Sequence, residues 1–418
     1  MLTAPNPATD RQIMLCGLDL LFDPQCSALR RRLRNARMGL LTHAAAVDRR
    51  GRQTISVLEE LGSTPFVVFS PEHGLHGVEQ AEIAVSHQPQ VGDSSAPTIS
   101  LYGTTKESLV PDPVQLSGLE VLLIDLADVG SRYYTYVWTA WLTATAARER
   151  GIHVVVLDRP NPISGAPCTA EGAPQCEGYL SLVGLRPLPI RHAMTVAEIL
   201  VLLADRDDWS LGPMGSLSVV PSRGWERHRT AEAWGRPFVM PSPNIPTVET
   251  ALVYPGACLL EGTNLSEGRG TTAPFQLVGA PFLDGAQLAC ELGDGGVPGA
   301  MVRAVQFRPW MGKHRGEICH GVMVHVTNSS LFRPVATYLR LIALARRQAP
   351  EAFAFRTDVY EFETETLAFD LLTGSSAARE ALQANASPEE VVALVAPVEE
   401  SWAEVVRATE ARAVAASA

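Results

Sequence analysis

Short apolar runs alternate with longer amphipathic stretches through the first third of the chain. Met38-Gly39-Leu40-Leu41-Thr42, residues 66–69, Val121-Leu122-Leu123-Ile124-Asp125 and Val154-Val155-Val156-Leu157-Asp158 are each β-branched or leucine-rich. Such uninterrupted apolar runs read as strands covered on both faces, and residues 54–61 and 137–150 between them read as helices. The alternation over residues 12–160 predicts an α/β fold with a Rossmann-like, doubly wound, mostly parallel sheet.

The pattern changes over residues 159–250, where Arg159-Pro160-Asn161-Pro162 and Met240-Pro241-Ser242-Pro243-Asn244-Ile245-Pro246 are too rich in proline for a regular helix or a central strand. Between them, Thr195 and Glu198 form a Thr-x-x-Glu capping box that starts a helix, with His192 in the loop before it. The second proline cluster marks the expected domain junction, near residue 240. Beyond it the spacing predicts a helix over 285–292, a strand over 321–327, a long helix over 334–347 and two helices over 376–416. The expected organisation is therefore a domain at 12–240 and a smaller α+β domain at 241–416 that closes a cleft against it. A chain of 418 residues is long enough for two such cores.

Composition narrows the function classes. A formal charge of −11 argues against a nucleic-acid partner, which would need a basic face. No apolar stretch approaches the roughly 18 residues of a membrane span, so no membrane role is expected. Seven scattered cysteines without a Cys-x-x-Cys pair do not form a disulfide framework or a zinc site. The first residues lack a basic start leading into an apolar run, and a cytoplasmic location is the expectation.

Four loops concentrate chemistry. Pro71-Glu72-His73-Gly74 follows the second apolar run and delivers a carboxylate and an imidazole into a glycine-flanked turn. In open α/β sheets ligands bind beyond the carboxyl ends of the strands, which makes Glu72 the leading acid or base. Asp125, Asp128, Arg132, Tyr133, Tyr134 and Tyr136 lie in the second loop, Asp158 and Asn161 in the third, and Glu261, Asn264, Glu267 and Arg269 in the fourth. Asp125 and Asp158 also suit helix capping, and the tyrosines suit a core. Together the loops supply the carboxylates, amides, hydroxyls and aromatic faces that suit a sugar. Two carboxyls roughly 5–10 Å apart are the usual engine for glycoside cleavage; here Glu72 is one, and Asp125, Asp128, Glu261 and Glu267 compete for the other. Glu72, His73 and His76 also make a weaker metal-binding set, since Gly74 breaks the helix that the HExxH arrangement needs. A Gly-x-Ser-x-Gly elbow and a dinucleotide-binding glycine fingerprint are both absent.

Taken in order, Ser70-Pro71-Glu72-His73-Gly74, Ser100-Leu101-Tyr102-Gly103, the run from Asp125 to Tyr136, Leu157-Asp158-Arg159-Pro160-Asn161-Pro162, Pro241 to Thr247 and Glu261 to Thr271 resemble the exo-β-N-acetylmuramidase family NamZ. The resemblance extends from about residue 36 to the C-terminus. It implies a Rossmann-like N-terminal domain, a smaller C-terminal α/β domain and a site in the cleft between them. It also implies removal of non-reducing terminal N-acetylmuramic acid from peptidoglycan fragments, with Glu72 as the acid/base. On that footing His73 orients Glu72 and Asp125 assists it. Asp128, Arg132, Tyr134, Asp158, Asn161, Asn244, Glu261, Asn264, Glu267 and Arg269 shape the pocket for a small muramyl glycan. Arg132 or Arg269 would grip the lactyl carboxylate that distinguishes muramic acid from glucosamine. No metal or organic cofactor is expected. A non-catalytic binder of muramyl sugars and a metal-dependent hydrolase are the alternatives.

Overall fold

A computed structural model describes residues 13–86, 96–294 and 296–418. Six parallel strands form the first sheet: β1 (Met38–Thr42), β2 (Val67–Ser70), β3 (Thr98–Ser100), β4 (Val121–Asp125), β5 (His153–Leu157) and β6 (Leu217–Val220). Their order is β3-β2-β1-β4-β5-β6, so the winding reverses between β1 and β4. At such a reversal neighbouring loops splay to opposite faces and leave a crevice above the strand ends.

The apolar runs are continuous because both faces are covered. Alternate residues feed two cores: Leu41, Phe69, Ile124 and Val156 pack into one, and Leu40, Leu123 and Val155 into the other. Helices Tyr136–Arg148 and Val196–Arg206 cover the first face, and Ser27–Asn35 and Thr54–Glu60 the second. The Thr195 and Glu198 capping box forms as the sequence predicts.

A second, antiparallel sheet combines β7 (Leu277–Ala280), β8 (Ala300–Phe307) and β9 (Cys319–Val326) in the order β7-β9-β8. Helices Val248–Ala257 and Pro334–Gln348 pack together beside it, where a Cβ on Gly256 would lie 2.0 Å from the Pro334 carbonyl oxygen. Residues 376–416 hold three helices, Ala377–Gln383, Pro388–Val395 and Trp402–Ala415, where the sequence pattern predicts two. The last returns to the first sheet: it packs on helix Val196–Arg206, and Ala418 N–H donates to the Val219 carbonyl at 2.8 Å. The hydropathy pattern does not mark β3, which is only three residues long, or β6, where Ser218 interrupts the apolar run.

Candidate active site

Strand β2 stops at Pro71, and a tight turn follows in which His73 (φ 68°) and Gly74 (φ 77°) adopt left-handed backbone. The turn directs the Glu72 side chain to the neighbouring loop rather than to solvent. Glu72 Oε2 accepts from the Thr135 hydroxyl at 2.8 Å and Oε1 from the Glu82 backbone N–H at 3.0 Å. The buried Tyr136 hydroxyl donates to the Glu72 carbonyl at 3.2 Å and contacts the Pro241 carbonyl at 3.1 Å. Thr135 and Tyr136 begin the helix after β4, and β2 and β4 flank β1, so the loops after those two strands meet above the end of β1.

His73 Nδ1 donates to the Glu79 carbonyl at 2.8 Å, which fixes the ring beside Glu72. His43 is buried with its ring 4.8 Å edge-on from Tyr136, and its Nε2 accepts from Ala127 N–H at 2.9 Å. Burial, reinforced by Arg159 and His73, pushes the His43 imidazole down to about 3, so it supports Tyr136 as a neutral ring. His76, by contrast, is exposed, and among the described residues no group of three or more His, Cys, Asp or Glu side chains is arranged to hold a metal ion.

Two adjoining cavities open from this point. The inner recess, about 30 Å³, is lined by Glu72, His73, Tyr133, Tyr134, Thr135, Ser242, Asn244, Tyr254, Glu261, Arg269, Phe275, Tyr360 and Glu361. The outer cleft, about 590 Å³, is lined by Glu82, Glu261, Asn264, Glu267, Arg269, Lys313, Arg356 and Asp358 among others. Ala81, Glu261 and Arg269 belong to both walls. Of the predicted residues, Glu72, His73, Tyr134, Asn244, Glu261 and Arg269 meet in the recess, and Asn264 and Glu267 face the cleft.

The fourth loop is held by ion pairs. Arg269 Nη2 bonds Glu261 Oε1 at 2.5 Å, the Tyr360 hydroxyl donates to Glu261 Oε2 at 2.7 Å, and Lys313 Nζ lies 2.8 Å from Glu267 Oε2. Burial would raise Glu267, but Lys313 and Arg269 outweigh it and hold the carboxyl below its ordinary value. The Asn264 amide is pinned between Ala352 and Ala354, and the Asn244 amide donates to Gln80 Oε1 at 2.7 Å.

Five expected site residues lie elsewhere, because the fold spends them on itself. Asp125 is fully buried, accepts a two-pronged bond from Arg159 (2.5 and 2.9 Å) and takes the Thr54 hydroxyl at 2.6 Å, tying β4 to the loop after β5. Arg132 donates to the carbonyls of Ala173, Leu188 and Leu372 at 2.6, 2.8 and 2.6 Å, away from both cavities. Asn161 braces its own loop through Ile163 N–H and the Met194 carbonyl, both at 3.0 Å. Asp128 accepts Gly130 N–H at 2.7 Å, lies 3.7 Å from the buried His192, and borders a separate cavity of about 40 Å³.

Asp158 sits at the start of helix Val196–Arg206, where burial pushes its carboxyl up to about 7. This sets a pH dependence. The folded chain holds the Asp158 proton up to about pH 7, while the unfolded chain releases it near its ordinary 3.8, so folding takes up a proton between those values. The stabilisation is present below the lower value and lost as pH rises through the upper one. Asp158→Asn, which keeps the neutral shape, should gain stability relative to the unsubstituted chain between pH 5 and pH 8, read from urea midpoints at both.

The residues that sequence reading missed come from the other end of the chain. Tyr360 and Glu363 exchange backbone hydrogen bonds at 3.1 and 2.9 Å, and the two residues between them, Glu361 (φ 46°) and Phe362 (φ 67°), are both left-handed. Such turns normally use Asn-Gly, and a side chain in this region costs roughly 1–2 kcal/mol. Glu361 thereby enters the recess beside Glu72. No sequence signal marks it, since Glu-Phe lacks turn composition.

Models of the N-terminal and C-terminal parts of exo-β-N-acetylmuramidase NamZ match residues 38–249 and 252–409. The chain belongs to the NamZ family. It is 38% identical to the peptidoglycan β-N-acetylmuramidase NamZ of Bacillus subtilis over 390 residues, covering 93% of this chain and 88% of that protein. The NamZ architecture also appears in a crystal structure of a DUF1343 family protein from Bacteroides fragilis, at TM-score 0.82 and 26% identity, covering 95% of this chain and 98% of that one. A second such protein from the same organism shares the fold at TM-score 0.68 and 23% identity, over 97% and 98% of the two chains. In this NamZ chain the matched parts contribute facing walls: Glu72, Thr135 and Asn244 from the first, and Glu261, Arg269 and Glu361 from the second.

Proposed function

We propose that this protein is an exo-β-N-acetylmuramidase, a glycosidase that removes non-reducing terminal N-acetylmuramic acid from peptidoglycan fragments, with Glu72 as its acid/base. The carrying observation is the Glu72 carboxylate itself. It is buried at a strand end, held by one bond to each oxygen, and opens on a recess whose outer cleft has room for a short glycan. The family relationship supplies the substrate class.

Arg269 lies on the wall common to recess and cleft and is the cation best placed for the lactyl carboxylate once Arg132 is spent on carbonyls. Tyr133, Tyr134 and Tyr254 give the recess its aromatic walls. His73 keeps its imidazole beside Glu72 through the Glu79 carbonyl. These groups perform proton transfer and orientation, the two contributions hydrolysis of an activated glycoside needs.

Release of nitrophenol from paired 4-nitrophenyl β-glycosides tests the assignment. The N-acetylmuramide is expected to be cleaved and the N-acetylglucosaminide, which lacks the lactyl group, to be a much poorer substrate. Equal rates, or cleavage of the glucosaminide alone, would show that the muramyl assignment is wrong.

A further inference from the structure

Most glycosidases pair two carboxyls, and none of the four expected partners of Glu72 lies free beside it: Asp128 borders a separate cavity. Glu261 is bound by Arg269 and Tyr360, Glu267 by Lys313, and Asp125 by Arg159, each on a cation that fixes it in place. Glu361 differs. It is 7% exposed, lines the recess together with Glu72, and its Oε2 accepts from the Tyr102 hydroxyl at 2.9 Å. Tyr102 follows β3, and its ring packs 5.6 Å from that of Phe362, so the strained hairpin is fastened to the first sheet at its tip. Backbone held in so unfavourable a region over two successive non-glycine residues persists where the surroundings enforce it, and such positions cluster at functional sites.

The surroundings are uniformly acidic. Glu72, Glu82 and Glu261 face Glu361, together with the Tyr102 and Tyr360 hydroxyls. Neither nearby arginine pairs with Glu361: Arg356 makes a two-pronged bond to Glu82 at 2.9 Å, and Arg269 bonds Glu261 through one nitrogen. Burial first, and then the three neighbouring carboxylates, hold Glu361 well above the ordinary carboxyl range, so it carries its proton. Both Glu72 oxygens accept hydrogen bonds, one from Glu82 N–H and one from the Thr135 hydroxyl.

We propose that Glu361 is the proton donor to the glycosidic oxygen and that Glu72 accepts the proton of the attacking water. This rests on the hydrolase reading above and divides between two carboxyls the acid/base work given there to Glu72. As the bond from the anomeric carbon to the leaving oxygen breaks, the Glu361 proton passes to that oxygen. The water oxygen bonds to the anomeric carbon and its proton passes to Glu72; exchange with solvent then returns one proton to Glu361 and removes one from Glu72. Each half of the chain contributes one group, so neither half is competent alone.

Leaving-group dependence separates a proton donor from a structural acid. With Glu361→Gln, kcat/KM for a muramyl disaccharide, whose sugar leaving group needs protonation, should fall by about 10²- to 10⁴-fold. A 2,4-dinitrophenyl muramide, whose leaving group needs none, should lose less than about tenfold by the same argument. The high-pH limb of the disaccharide profile should disappear while the low-pH limb stays. Equal losses on both substrates, or no loss on the disaccharide, would overturn the assignment. Should Glu361→Gln fail to fold, Glu361→Asp serves instead: a disaccharide-selective loss supports the proposal and a uniform loss overturns it. Absence of cleavage of either substrate by the unsubstituted protein would strike the hydrolase reading itself.

Discussion

Glu72→Gln should lower kcat/KM for N-acetylmuramide hydrolysis by about 10²- to 10⁴-fold, whatever the leaving group, while leaving the thermal transition almost unmoved. The substitution is close to isosteric. The Gln oxygen can take the Glu82 N–H, and its amide can donate to the Thr135 hydroxyl, which turns to accept, so both of the original contacts at 3.0 and 2.8 Å have successors. What is lost is the capacity to take up a proton. An activated aryl muramide makes the test demanding, because it needs no acid and so exposes the base half of the reaction alone. Initial rates with that substrate and a melting curve on the same preparation suffice. A variant that keeps most of the rate would remove Glu72 from the chemistry.

Arg132→Met carries the largest expected loss of stability. The guanidinium is fully buried, and burial lowers it only to about 10, so it remains charged at neutral pH. Its three carbonyl acceptors belong to Ala173, Leu188 and Leu372, segments far apart in sequence. Leu372 lies in helix Ala368–Thr373, shortly after the hairpin that carries Glu361. Methionine fills much of the volume but leaves three buried carbonyls without donors, at roughly 1 kcal/mol or more each, so about 3 kcal/mol or more in total. KM for the muramide should stay within about twofold at temperatures where the variant is folded, because Arg132 borders neither cavity. Urea unfolding and steady-state kinetics check the two halves. A normal unfolding midpoint with a raised KM would reverse the reading and return Arg132 to the substrate.

The contrast between Arg132 and Arg269 shows where sequence reading stops. Both sit in loops dense with polar groups, and both are arginines able to grip a carboxylate. Only packing tells them apart: one is enclosed among carbonyls, the other lies on a wall between two cavities. The same holds for Asp125 and Asp158, which end adjacent strands of the first sheet yet serve as a tether for Arg159 and as a buried helix-start carboxyl.

The sequence by itself determined the doubly wound sheet, because uninterrupted apolar runs are stable only when covered on both faces, and it located Glu72, because a proline and glycines force a turn where a strand ends. It also carried the family motifs in order. Tertiary structure alone decided the rest: which polar loop residues the fold consumes, and which carboxyl faces Glu72. Glu361 lies 289 positions further along and is brought there by an unmarked hairpin fastened to Tyr102. Local pattern reports the period and propensity of neighbouring residues, whereas a site assembled from two ends of a chain depends on long-range packing that no local pattern records.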